Sequence, residues 1–208
     1  MVYFICEEIM IKNIVFDLGN VLVTFDPKSF LKDLIHNKKI EEDLYSFYFH
    51  SDLWILYDQG SYSNEDMIQK GIQIYPQYEK YIRSVIERWV EYVIPIVDNI
   101  QLLDLYTSYS LYIISDIPQY NYDYLNKHYS FLQKVNGGIY SYQEKVCKPD
   151  KKMFTRLLEK YKINPQECVF IDDKYENIKT ALDLGFKGIH LKDPKDLKKK
   201  LEEVLYEM

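Results

Sequence analysis

Three short apolar runs in this chain end in residues better suited to chemistry than to packing. Ile14-Val15-Phe16 closes on Asp17, Leu111-Tyr112-Ile113-Ile114 on Ser115, and Cys168-Val169-Phe170-Ile171 on Asp172 and Asp173. Runs of this length, rich in β-branched and aromatic residues, read as strands buried on both faces. Helical patterns separate or follow them at 97–106, 120–128, 151–161, 176–184 and 195–206, with one more short strand at 188–191. Such alternation implies an α/β fold, a doubly wound parallel sheet of the Rossmann-like type. Ligands of these sheets bind beyond the carboxyl ends of the strands. A lone strand-end Asp is as readily a helix cap or a turn former. A series of polar strand ends in one chain tilts that balance toward a site.

Between the first two strands the pattern is helical. From Pro27 to Tyr92, apolar residues recur at three- or four-residue spacing, as in Phe30-Leu31-Leu34-Ile35 and Ile82-Val85-Ile86-Trp89-Val90. Gly60-Ser61-Tyr62-Ser63-Asn64-Glu65 reads as a turn into a new helix, with Ser63 or Asn64 as its N-cap. The expected organisation is a core of residues 1–26 and 93–208 with a helical insertion at 27–92.

The net charge of −6 argues against nucleic acid as the main partner. The one basic run, Lys198-Lys199-Lys200, sits among Leu197, Leu201 and Val204 and reads as the solvated face of a terminal helix. Cys6, Cys147 and Cys168 are widely spaced, so neither a disulfide framework nor a zinc site is implied. His36, His50, His128 and His190 show no metal-ligand spacing. No apolar stretch is long enough to span a bilayer. Met1 to Ile9 lacks a basic start and carries Glu7-Glu8, unlike a signal peptide. A cytoplasmic setting is expected. Met10 is an alternative start to Met1, and the sequence leaves the oligomeric state open.

Lys148, in Cys147-Lys148-Pro149-Asp150, stands just before a helical pattern, with Pro149 suited to its first turn. The chain thus offers strand-Asp, strand-Ser, Lys before a helix, and strand-Asp-Asp, in that order. This resembles the haloacid dehalogenase-like (HAD) hydrolase superfamily, whose four motifs follow the same order. The resemblance runs from Met10 to about Lys192. It rests on Phe16-Asp17-Leu18-Gly19-Asn20-Val21-Leu22, on Lys148-Pro149-Asp150, and on Phe170-Ile171-Asp172-Asp173 with Asn177 and Gly185. The Asp-Leu-Gly-Asn form is nearest in appearance to a branch that includes sugar-phosphate phosphatases such as glucose-1-phosphate phosphatase. The resemblance implies that the helical insertion is a C1-type cap. It also implies a Mg²⁺-dependent phosphatase of small phosphorylated metabolites, acting through an aspartyl-phosphate.

The resemblance makes Asp17 the nucleophile and assigns Mg²⁺ to Asp17, the Gly19 carbonyl and Asp173, with Asp172 joining through water. Adjacent carboxylates repel unless a cation lies between them. Lys148 is the lysine expected there, and it would also hold a phosphoryl oxygen. Ser115 and the Asp116 backbone N–H can donate to phosphate. The family more often has Asn where Asp116 stands, which adds negative charge near the substrate. Asn20 joins the substrate-binding set. Asn177 is expected to orient the carboxylates. Trp54 and Tyr57, with Gln59, precede the Gly60 turn, where the family's specificity loop falls.

Gly19 is the largest departure. Most phosphatases of the superfamily carry a second Asp two residues after the nucleophile, which protonates the leaving oxygen and later activates water. Such acid–base help is worth about 10²–10⁴-fold. Its absence fits leaving groups that need little protonation. It also fits two alternatives: a 2-haloacid dehalogenase, or a weakly active or non-catalytic binder of phosphorylated metabolites.

Overall fold

The computed structural model describes residues 10–206, so Cys6 and the segment before Met10 lie outside the described residues. Five strands form one sheet: β1 Asn13–Phe16, β2 Ser110–Ser115, β3 Gly137–Tyr140, β4 Cys168–Asp172 and β5 Lys187–His190. Their order is β3-β2-β1-β4-β5 and every pair is parallel. Phe16 pairs with Ile113 on one side and Ile171 on the other. The next residue, Asp17, therefore lies level with Ile114 and Asp172, one residue past the end of the central strand.

Alternation along the strands explains the helices on both faces. Ile14, Phe16, Leu111, Ile113, Val169 and Ile171 join one cluster with Leu102, Leu103, Leu125, Leu197 and Leu201. These come from α6 (Val97–Leu105), α7 (Gln119–His128) and α11 (Leu197–Tyr206). Val15, Tyr112, Ile114 and Phe170 point the other way, into a cluster with Met153, Phe154, Leu157, Ile178 and Ala181. Those belong to α9 (Lys151–Tyr161) and α10 (Tyr175–Asp183), while a single turn, α8 (Ser141–Glu144), follows β3. No helix among the described residues is long and apolar enough to cross a membrane.

The cap comprises α1 (Pro27–Ile35), α2 (Lys38–Phe49), α3 (Asp52–Asp58), α4 (Asn64–Ile74) and α5 (Glu79–Arg88), ending in a 3₁₀ turn at Trp89–Tyr92. Its core is aromatic. Trp54 lies 4.2 Å from Phe49 and 5.1 Å from Trp89, centroid to centroid. Ser63 is the N-cap of α4 and forms a capping box with Asp66. The two connections between cap and core run side by side. The Thr24 N–H donates to the Ile94 carbonyl and the Ile96 N–H to the Leu22 carbonyl, both at 2.9 Å.

One strand and one proline depart from the sequence pattern. β3 carries no strand signal in the sequence, because Gly137 and Gly138 supply no side chains for a pleated surface. Helix α9 starts at Lys151, as its pattern indicates, but Pro149 stands before the N-cap rather than in the first turn, since the Asp150 side chain caps the helix by accepting the Lys152 N–H at 2.8 Å.

One buried amide braces the loop after β1. Asn99 Nδ2 donates to the Val21 carbonyl at 2.7 Å and to the Pro194 carbonyl at 3.0 Å. Asn99→Ala leaves the Val21 carbonyl without this donor, which costs about 1–3 kcal/mol. Urea unfolding of the two proteins measures the difference; equal midpoints and slopes would show that the brace contributes nothing.

Candidate active site

Lys148 is the centre of the site. Its Nζ lies 2.8 Å from Asp17 Oδ1 and 2.8 Å from Asp172 Oδ2, and donates to the Ile114 carbonyl at 3.1 Å. These acceptors stand at the ends of β1, β4 and β2, so one ammonium joins three neighbouring strands. Of its three N–H groups, two donate in hydrogen bonds, to Asp172 and to the Ile114 carbonyl, and the contact with Asp17 is an ion pair. Lys148 therefore bridges Asp17 and Asp172, rather than separating Asp172 from Asp173, and its charge is fixed beside the pocket. Burial disfavours its charge, but Asp17, Asp172 and Asp116 outweigh that and hold it protonated.

Asp17 is buried at 7% exposure, so its remaining access decides its chemistry. Oδ1 accepts the Leu18 N–H at 2.7 Å as well as facing Lys148. Oδ2 accepts no hydrogen bond from the described residues, and Asp17 lines the main pocket. Burial pushes the carboxyl up to about 7, against the pull of Lys148, with Asp172 adding to the rise.

Asp172 is fully enclosed, and its oxygens are occupied. Asn177 Nδ2 donates to both, at 3.0 and 2.9 Å, and the Lys174 N–H donates to Oδ1 at 2.8 Å. The expected role of Asn177 thus has a geometry: from the first turn of α10 it grips Asp172. Asp173 faces the pocket instead and accepts from Asn20 Nδ2 at 3.0 Å. Asn20, expected at the substrate, uses its other end on the Phe25 N–H, at 3.1 Å, so both ends of its amide are held within the protein. Its φ of 55° turns the chain sharply after Gly19.

The pocket brings Asp17, Gly19, Asn20, Trp54, Ser115, Asp116, Lys148, Asp173 and Asn177 together. Ser115 is almost fully buried there. Asp116 Oδ1 accepts the Lys148 N–H at 2.9 Å, and burial raises its pKa. Tyr57 does not line the pocket: it is buried in the cap and donates its hydroxyl to Asn64 Oδ1 at 2.5 Å. Its neighbour Asp58 lines the pocket in its place, as do Asn121 and Lys174. None of these three carries a local sequence signal, because each reaches the pocket only through tertiary placement. Phe25, Trp89 and Val93 add an apolar wall.

The acidic groups can hold a cation. One oxygen each from Asp17, Asp172 and Asp173 lie within 4.8 Å of one another. An all-oxygen set suits Mg²⁺, which takes one or two carboxylates and completes its shell with water and substrate. The balance of charge agrees: Asp17, Asp116 and Asp173 alone outnumber Lys148 and Lys174 in the pocket lining. A phosphate dianion would meet an excess of negative charge unless a cation came with it.

Lys148→Met removes the charge and keeps most of the volume. Breaking a buried ionic cluster by removing one partner costs about 3–5 kcal/mol. Denaturant unfolding at neutral pH without metal measures it. A loss below about 1 kcal/mol, typical of exposed pairs, would contradict this account of the site.

A family model for haloacid dehalogenase-like hydrolases matches residues 11–185. A sesquiterpene phosphatase from Aspergillus oryzae is 26% identical over 186 residues, covering 88% of this chain and 90% of that protein. A HAD family enzyme from Bacteroides thetaiotaomicron, solved as an Asp12Ala mutant with magnesium and inorganic phosphate, superposes with a TM-score of 0.66. It is 23% identical and the match covers 86% of this chain and 93% of that one. An L-2-haloacid dehalogenase from Xanthobacter autotrophicus has a TM-score of 0.63 at 18% identity, covering 86% and 76%. At these identities the two solved structures speak for the fold alone.

Proposed function

This chain belongs to the haloacid dehalogenase-like hydrolases, and we propose that it is a Mg²⁺-dependent phosphatase of small phosphorylated metabolites. The observation that carries the reading is the contrast between the two oxygens of Asp17. Oδ1 is fixed by Lys148 and the Leu18 N–H, while Oδ2 is left open beside Ser115 and Asp173. A carboxylate held by one oxygen and free at the other is oriented for in-line attack. The similarity to a sesquiterpene phosphatase supports the same reading.

In this reading Asp17 Oδ2 attacks phosphorus and the alcohol departs, leaving an aspartyl-phosphate that water then hydrolyses. The Ser115 hydroxyl and the Asp116 N–H donate to the phosphoryl oxygens. Lys148 holds Asp17 in place and contributes its charge at short range. Mg²⁺, held by Asp17, Asp173 and the Gly19 carbonyl, would supply the positive charge that lets two anions approach; Asp172, enclosed and with both oxygens occupied, would act through Lys148 rather than through the expected water. Trp54, Trp89 and Phe25 shield the site from bulk solvent on the cap side and suit a leaving group with an apolar face. The charge excess favours this reading over a 2-haloacid dehalogenase, whose substrate brings no dianion to neutralise.

Aryl phosphate turnover by the purified chain tests the proposal. Activity should vanish in EDTA, return with Mg²⁺, and be absent from Asp17→Asn and Asp173→Ala. Mg²⁺ should raise the melting temperature of the parent and leave that of Asp173→Ala unchanged. Full activity in EDTA, or in Asp17→Asn, would sink it.

A further inference from the structure

The phosphatase reading leaves one task without a residue. A leaving alkoxide needs a proton and the attacking water needs a base, yet Gly19 has no side chain to serve either. Space does not explain the glycine: a Cβ built there would meet only Phe25 Cβ, at 3.8 Å. The acid must come from another wall of the pocket. Four carboxylates line it, those of Asp17, Asp58, Asp116 and Asp173. Asp17 is the attacking group, Asp173 is bound by Asn20, and Asp116 accepts the Lys148 N–H. Among the described residues, nothing hydrogen-bonds to the carboxyl group of Asp58.

The core fixes where that group stands. Asp58 closes helix α3 of the cap. Its backbone carbonyl accepts the hydroxyl of Ser141, at 2.6 Å, from the start of α8 in the core. The same hydroxyl oxygen accepts the Ile117 N–H at 2.8 Å, just after Ser115 and Asp116. Ser141 is fully buried, so this is a fixed peg and not a surface contact. Two residues after Asp58, the Gly60 carbonyl accepts from Lys145 Nζ at 3.1 Å. The tip of the cap is thereby tied to the loop that carries the phosphate-binding residues.

The surroundings also favour the protonated form of Asp58. Burial raises its pKa well above the usual carboxylate range, and Asp116 and Asp17 add to the rise against Lys174 and Lys148. Asp17, by contrast, has Lys148 in direct contact. Two carboxyl groups in one pocket with different partners can divide the roles of nucleophile and acid.

We propose that Asp58, presented by the cap and positioned by Ser141, is the general acid and base of this site. In the first step Asp17 Oδ2 bonds to phosphorus, the phosphorus–oxygen bond to the leaving group breaks, and that oxygen takes the Asp58 proton. In the second, the Asp58 carboxylate takes a proton from water as the water oxygen bonds to phosphorus and the Asp17–phosphorus bond breaks. Ester and water become alcohol and phosphate, and both aspartates return to their starting forms. The cap then contributes to the chemistry itself, since it carries the acid.

The test uses the full chain with Mg²⁺, an alkyl phosphate and an aryl phosphate with an acidic leaving group, in rapid-quench and steady-state kinetics. For Asp58→Asn, alkyl turnover should fall by about 10²–10⁴-fold with KM little changed. On the aryl substrate the first turnover should survive as a burst, followed by slow release. Parent kcat on the alkyl ester should decline as pH rises and deprotonates Asp58, and that decline should vanish in Asp58→Asn. Ser141→Ala should show a smaller loss of kcat with the same leaving-group dependence. Parent-like rates for Asp58→Asn, or equal loss of the first turnover on both substrates, would overturn the assignment while leaving the phosphatase reading intact. No hydrolysis by the parent of either ester would remove both.

Discussion

A single ammonium group organises this molecule. Lys148 Nζ meets acceptors from β1, β2 and β4, the three middle strands of the sheet. Buried charges of one sign cannot be brought this close without compensation. Asp17 and Asp172 lie level on adjacent strands, so the sheet that makes the site also forces two carboxylates together. Lys148 makes that proximity tolerable. It also fixes one oxygen of Asp17 and leaves the other for chemistry. The arrangement is a stability liability retained at the place where reactivity needs it.

Around this pivot, each neighbour has one task. Asn177 and the Lys174 N–H hold Asp172, so that Asp172 holds Lys148. Asn20 turns the chain at a positive φ and fixes both Asp173 and the exit toward the cap through the Phe25 N–H. Asn99 braces the same loop from α6. The residues that would meet phosphate thus sit on strand ends and one tight loop, while those that would meet the rest of the substrate sit on the cap and α7.

The core was legible in the sequence because its signals are local. A strand buried on both faces reads as an apolar run, and Asp17, Ser115 and Asp172 are visible as the polar residues that end such runs. Lys148 was visible from its place before a helix and from motif order, yet its partners were not, since they depend on register. β3 was hidden by Gly137 and Gly138. In the cap, position before the Gly60 turn points to Trp54 and Tyr57 equally. Only one of them faces the pocket, because the Tyr57 hydroxyl is spent on Asn64. Asp58, one residue further, reads as an ordinary acid at a helix end; its position depends on Ser141, 83 residues away. Contacts of that span leave no trace in local pattern.

The central claim is that phosphorus is transferred to Asp17. The most direct measurement is chemical trapping of the acyl phosphate. Enzyme mixed with an aryl phosphate and Mg²⁺ is quenched within the first turnover and reduced with borohydride, then digested and mapped by mass spectrometry. Reduction of an aspartyl-phosphate converts the side chain to an alcohol. The account predicts that change at Asp17 and at no other aspartate. Reduction at a different residue, or none while turnover proceeds, would contradict it.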